Sequence, residues 1–200
     1  MYNCYGAKDT GTWLLHFGFA PWHNPAETVA LRLAATFPDD TNAASEAAAE
    51  RTRGRKQRLF AELAGGRLGA LVCTLRRGTL PPLLLAVARV CCMSAQEVAA
   101  AAGDASGALA GPLSAANEQA ALKYIQELLA RRITGLLRGD SAATWAQRVA
   151  AARAKDAIRC SRDGAEIAVT RAGAALAYRN GLLDVLQLAA HAVETALTAL

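Results

Sequence analysis

The chain has 200 residues, enough for one domain or for a domain with part of a second. Apolar residues make up 53% and aromatic residues only 6%, so we expect a mainly α protein whose helices approach closely. The net charge of +5 does not by itself indicate nucleic-acid binding, which requires positive charge concentrated on one face.

The first 37 residues differ from the rest, because they contain two of the three Trp and three of the four Phe. Tyr2–Tyr5 and Thr28–Ala34 are typical of short strands. Asp9–His16 predicts a short helix that Asp9 or Thr10 caps. A turn over residues 37–40, which contains Pro38 and two aspartates, separates this region from the remainder.

From Thr41 onward the apolar spacing is helical, and we expect this region to fold by itself. We predict a brief strand over Leu68–Leu75 and a loop over Ala101–Gly111. Gly181 is expected to be a weak point in the last helix. The predicted helices are Asn42–Leu63, Pro81–Cys92, a short helix opened by a capping box from Ser94 to Glu97, Ser114–Leu137, about Ala142–Ile158, and a long helix from the break at 161–164 to the C-terminus.

The residues alone do not form a recognisable catalytic constellation. The histidines His16, His23 and His191 lie far apart in sequence, and no Gly-rich phosphate loop follows a strand. The five cysteines lack paired spacing, so we predict no metal site and interpret them as reduced, small apolar residues of an intracellular protein. The longest apolar run, Leu80 to Met93, is too short to cross a membrane, and we expect a soluble protein.

The densest positive charge is the cluster of Arg51, Arg53, Arg55, Lys56 and Arg58. The favoured interpretation is a solvated helix face. The alternative is a surface that docks an acidic partner, whereas nucleic acid is not expected because stacking aromatic residues are missing.

The N-terminal region contains a longer motif. Tyr5-Gly6 is followed by Lys8-Asp9, Leu14-Leu15, Phe17-Gly18-Phe19, Asn24-Pro25 and an apolar strand. In order and spacing this stretch resembles the end of a SET domain of the Rubisco large-subunit methyltransferase type. The later segments Leu80-Pro81-Pro82 with Arg89, Asn117-Glu118, and Tyr178-Arg179 with Gly181 resemble, more loosely, the substrate-binding domain of the same family.

The resemblance implies a fold and a function. Residues 1–37 would be the C-terminal end of a SET domain, a small α/β remnant, and residues 41–200 a multi-helix substrate-binding domain. Tyr5 would be the catalytic tyrosine, and Phe17 and Phe19 would contact the substrate. Phe17 stands where many relatives have a second tyrosine beside the lysine.

The family uses S-adenosyl-L-methionine, but the donor-binding segments that it carries before the tyrosine do not occur in this sequence. We therefore expect the C-terminal part of a protein-lysine N-methyltransferase, inactive alone, whose partner is a protein with a target lysine. The alternative is a free-standing helical adaptor without methyltransferase activity. The sequence does not distinguish chloroplast, cytoplasm and nucleus.

Overall fold

The structure, a computed structural model, describes residues 7–35, 37, 45–66, 71–101, 104–159 and 165–200. In these ranges most residues are helical and the strands are short, which confirms the mainly α class. The helices are α1 (Thr10–Phe17), α2 (Glu46–Leu63), α3 (Pro82–Cys92), α4 (Ala95–Ala100), α5 (Ser106–Ala110), α6 (Ala115–Leu137), α7 (Ala142–Asp156) and α8 (Arg171–Thr198). The strands are β1 (Ala20–Pro21), β2 (Thr28–Leu33), β3 (Leu71–Arg76), β4 (Ala157–Arg159) and β5 (Glu166–Ala168).

Local side-chain caps fix the starts of several helices. The Asp9 carboxylate accepts a hydrogen bond from the backbone N–H of Thr12 at 2.8 Å and begins α1. Ser94 and Glu97 form the predicted capping box of α4, and Ser141 caps α7. Each cap satisfies backbone donors that a helix start would otherwise leave without a partner.

Three predictions in the second half of the chain are wrong. The predicted loop at Ala101–Gly111 contains α5, which buries Ala108. The helix predicted to reach Ile158 ends at Asp156, and the long helix predicted after residue 164 begins only at Arg171. Of the described residues between them, Ala157–Arg159 form β4 and Glu166–Ala168 form β5, which pair antiparallel, so a tertiary ladder replaces helical turns there.

The strands form two small sheets. One has the order β1-β5-β4, with Ala20 opposite Ala168, and the other pairs β2 with β3. The strand predicted at Thr28–Ala34 is thus present as β2 and pairs with β3. The predicted strand Tyr2–Tyr5 and the predicted start of α2 at residues 42–44 lie outside the described residues.

The chain divides into two compact units. Unit 1 comprises residues 1–29, 75–79 and 129–190, and unit 2 comprises 30–74, 80–128 and 191–200. In unit 1, Trp22 belongs to one buried cluster with Ala168, Ala174 and Ala177. Residues from both sides of Thr41 thus share this cluster, and whether the region after Thr41 folds by itself remains a prediction. The boundary between a SET remnant and a substrate-binding domain remains a prediction.

In unit 2, α3 forms the centre of the packing. It contacts α2 and α5, and its residues 86–91 are all buried. Leu59 and Phe60 of α2 and Leu122 and Ile125 of α6 are buried as well. This apolar packing leaves the outer faces of the helices to solvent.

Candidate functional site

The predicted aromatic corner lies in unit 1 at the end of α1. Gly18 adopts a φ of 77°, a left-handed conformation that glycine favours, and its N–H donates to the carbonyl of Leu14 at 3.1 Å. This turn ends α1 after Phe17 and reverses the chain before Phe19. Tyr5, the predicted catalytic residue, lies outside the described residues.

Three aromatic rings cluster at this corner. The ring centroid of Trp13 lies 4.9 Å from that of Phe17 and 5.5 Å from that of Phe19, and the two Phe rings are 6.2 Å apart. All three side chains are half-buried rather than fully exposed. The structure thus brings the two predicted substrate-binding residues together in one apolar surface.

A polar cavity of about 450 Å³ lies beside the start of α1 in unit 1. Two alanines and a proline line part of it, and its charged lining residues carry both signs. The polar lining residues are Lys8, Asp9, Thr12, Glu27, Thr28 and Arg76.

Glu27, which the sequence analysis did not single out, is buried in the wall of this cavity. Its carboxylate accepts backbone hydrogen bonds from Thr10 at 3.3 Å and from Thr28 at 3.2 Å. Burial raises the pKa of the Glu27 carboxyl, and the hydrogen bonds from Thr10 and Thr28 oppose part of that rise. Asn24 adds hydrogen bonds to the Lys8 carbonyl and the Thr10 hydroxyl, so this loop is held by buried polar contacts.

Helix α8 supplies the space that Glu27 occupies. A Cβ added to Gly181 would lie 2.8 Å from Oε2 of Glu27, so the absence of a side chain permits the contact. Tyr178 lies against Gly11 of α1, at 3.4 Å from the position of an added Cβ. Gly181 is therefore a packing residue inside a continuous helix, and the prediction of a weak point there is wrong.

The described lining of the cavity contains no aromatic ring on which the adenine of S-adenosyl-L-methionine could pack. Its charges balance in number, because Lys8 and Arg76 are matched by Asp9 and Glu27. Among the described residues, no group of three or more His, Cys, Asp and Glu side chains could hold a metal ion.

In unit 2, a buried ion pair joins two motifs that the sequence analysis noted separately. Arg89 of α3 binds both carboxylate oxygens of Glu118 of α6, at 2.6 and 3.0 Å, and also donates to the carbonyl of Ala108 at 2.8 Å. Asn117 donates to the carbonyl of Arg89 at 3.0 Å. These residues connect α3, α5 and α6, so their role is to hold the helices together.

The basic cluster of α2 divides into two parts. Its four arginines are exposed, as both a solvated face and a docking surface require. Lys56 is buried and donates to the carbonyl of Cys91 at 3.2 Å, so including it in that face was wrong. The helical period turns Lys56 to the same side as Leu59 and Phe60.

Arg179, in the last motif of the resemblance, is also structural. Its guanidinium lies 4.5 Å from the ring centroid of Trp145, which is cation–π distance, and it donates to the carbonyl of Leu136. The Trp145 indole N–H in turn donates to the amide oxygen of Asn180.

Comparison with known families supports the helical part of the resemblance. Residues 43–136 match the family described as Rubisco LSMT substrate-binding. The matched range contains α2 to α5 and all but the last residue of α6. The search of curated proteins found no match. No helix in the described part of the chain has the length and hydropathy needed to span a membrane.

Proposed function

We propose that this chain is the C-terminal, substrate-docking part of a protein-lysine N-methyltransferase and transfers no methyl group by itself. The match of residues 43–136 to a Rubisco LSMT substrate-binding domain is the observation that carries the proposal. The same residues form packed helices whose outer faces are accessible to a protein.

The packing of this region suits a docking role. The Arg89–Glu118 pair and the Lys56 contact fix the helices from the inside, so the exposed side chains sit on a rigid base. A preorganised surface loses less conformational entropy when it binds. The partner in this proposal is a protein that carries the target lysine.

For the N-terminal region we propose the roles that the resemblance implies. Tyr5 would place its hydroxyl next to the substrate amine, and the rings of Phe17 and Phe19 would contact the aliphatic part of the lysine side chain. The ring cluster with Trp13 supports a contact of this kind, because aromatic faces bind alkyl chains and cations. Since Phe17 lacks a hydroxyl, one hydrogen bond to the amine is missing, which bears on how many methyl groups are added.

A chimera tests the proposal. The donor-binding part of a Rubisco LSMT-type SET domain is fused in frame before residue 1, and tritiated S-adenosyl-L-methionine is supplied with a soluble extract from the source organism. We expect the chain alone to label no lysine and the chimera to label lysine. Tyr5→Phe should lower labelling by roughly 100-fold or more, the usual size of a lost proton-transfer or positioning group, whereas Tyr2→Phe serves as the matched control.

Labelling by the chain alone would contradict its proposed inactivity. A folded chimera that labels nothing, or that is indifferent to Tyr5→Phe, would contradict the methyltransferase assignment. The second result would favour the alternative of a helical adaptor that binds proteins without modifying them.

A further inference from the structure

One face of α2 carries a stripe of three arginines, Arg51, Arg55 and Arg58. Their spacing of four and three residues places them on the same side of the helix. All three are exposed, and at ~1.5 Å rise per residue they extend over about 10 Å along the helix axis.

The stripe has no acidic partner among the residues that the structure describes. Arg53, by contrast, projects from another side of α2 and pairs with Glu50 at 2.9 Å. Glu62 continues the stripe one turn beyond Arg58, but its carboxylate accepts the backbone N–H of Ala105 at 3.1 Å.

The fold does not require these charges. The buried side of α2 is formed by Lys56, Leu59 and Phe60. Arg51 and Arg55 are like charges four residues apart, and Arg55 and Arg58 three residues apart, which disfavours the helix. A surface that served only solubility would be equally well served by mixed charges. The stripe therefore lowers helix stability without contributing to the core.

We propose that this arginine stripe docks an acidic segment of the protein partner. The proposal deepens the proposed function, because it specifies the chemistry of what the helical region binds. In an extended segment, side chains on one face recur every ~6.7 Å. Two carboxylates can then bind guanidinium groups along the stripe, with two parallel hydrogen bonds for each pair.

The surroundings favour a protein over a nucleic acid. The aromatic residue of α2, Phe60, is buried and offers no ring for base stacking. Glu46 and Glu50 lie near the start of the same helix, where they would repel a continuous run of phosphates. Separate carboxylates on a peptide can avoid these positions.

The test measures fluorescence anisotropy of a labelled peptide of roughly ten residues that alternates Glu and Ser, long enough at ~3.3 Å per residue to cover the stripe. A Gln/Ser peptide, an oligothymidylate and phosphatidylserine vesicles serve as comparison ligands. The stripe variant is Arg51→Gln/Arg55→Gln/Arg58→Gln in the full chain. The control variant, Arg32→Gln/Lys123→Gln/Arg171→Gln, removes the same three positive charges from exposed positions elsewhere.

We expect the Glu/Ser peptide to bind, the Gln/Ser peptide not to bind, and the stripe variant to weaken binding by about tenfold or more. The control variant should change affinity by less than about threefold, because it removes three exposed charges that are not part of the stripe, and isolated exposed charges contribute little to an ion pair's stability. Thermal unfolding should show the stripe variant to be at least as stable as the wild type, so lost binding would not reflect unfolding.

Absence of peptide binding, or equal weakening by both variants, would overturn the proposal. So would tighter binding of oligothymidylate or vesicles that depends on the stripe. No methyl transfer enters this assay, so its failure is distinct from failure of the chimera. An active chimera with no peptide binding would leave the methyltransferase assignment intact and remove only the acidic partner.

Discussion

Removal of the guanidinium at Arg89 should destabilise unit 2 strongly. The side chains of Arg89 and Glu118 are 8% and 10% exposed, so Arg89→Met would leave a carboxylate buried without its counter-charge. Loss of one partner of a buried pair costs about 3–5 kcal/mol. The Ala108 carbonyl would also lose its donor, which adds about 1–3 kcal/mol.

The double variant Arg89→Met/Glu118→Met removes both charges together. Apolar residues of similar volume can replace a buried ion pair at little cost. The remaining loss is then the unsatisfied Ala108 carbonyl, about 1–3 kcal/mol. We therefore expect the double variant to be more stable than either single variant.

Urea unfolding followed by far-UV circular dichroism measures these differences. The matched control is Arg53→Met, which breaks an exposed pair whose side chains are 44% and 68% exposed and should cost less than about 0.5 kcal/mol. A double variant less stable than both single variants, or a loss from Arg89→Met as small as that of the control, would refute the reasoning.

Three further results are expected from the same structure. Gly181→Ala should lower the free energy of unfolding by about 1–3 kcal/mol, and with it the melting temperature, because the new Cβ would meet Glu27. Gly135→Ala is the control: it has open space in α6 and should raise the free energy of unfolding by about 0.5–1 kcal/mol. Burial raises the pKa of the Glu27 carboxyl above its ordinary value of 4.5, so the folded state favours the protonated form. The stability that protonated Glu27 gives the fold is fully present below pH 4.5 and is lost as pH rises through the folded pKa. Glu27→Gln should therefore gain stability relative to wild type as pH rises through this window in denaturation curves, and an unchanged difference would contradict the assignment. Burial raises the pKa of Cys73 to about 11 and of Cys91 to about 12, so both thiols should react with iodoacetamide roughly 100-fold more slowly at neutral pH than after unfolding in urea; equal rates would refute their burial.

The helices that the sequence predicted well are those whose signals are local. The capping box at Ser94 and the cap at Asp9 depend on hydrogen bonds that extend only three residues along the chain. The apolar period predicted α6, and Ala121, Ile125 and Leu129 are buried along one face of it, because a helix repeats its face every 3.6 residues.

The errors concern features that depend on distant partners. Strands β4 and β5 have three residues each, too few to show an alternating pattern, and they exist through pairing. The buried position of Glu27 depends on Gly181, far away in the sequence. Arg89 and Glu118 were both noted as motif residues, yet their spacing contained no sign that they would meet across two helices.

The pairing of β1 with β5 has a consequence for biosynthesis. Ala20 and Ala168 are about 150 residues apart, so a ribosome that adds ~5–20 residues per second needs roughly 10–30 s to supply the partner strand. Until then Trp22 lacks the small residues of α8 against which it packs. Trp22 is thus synthesised well before the residues that bury it, and a chaperone could bind it during that interval.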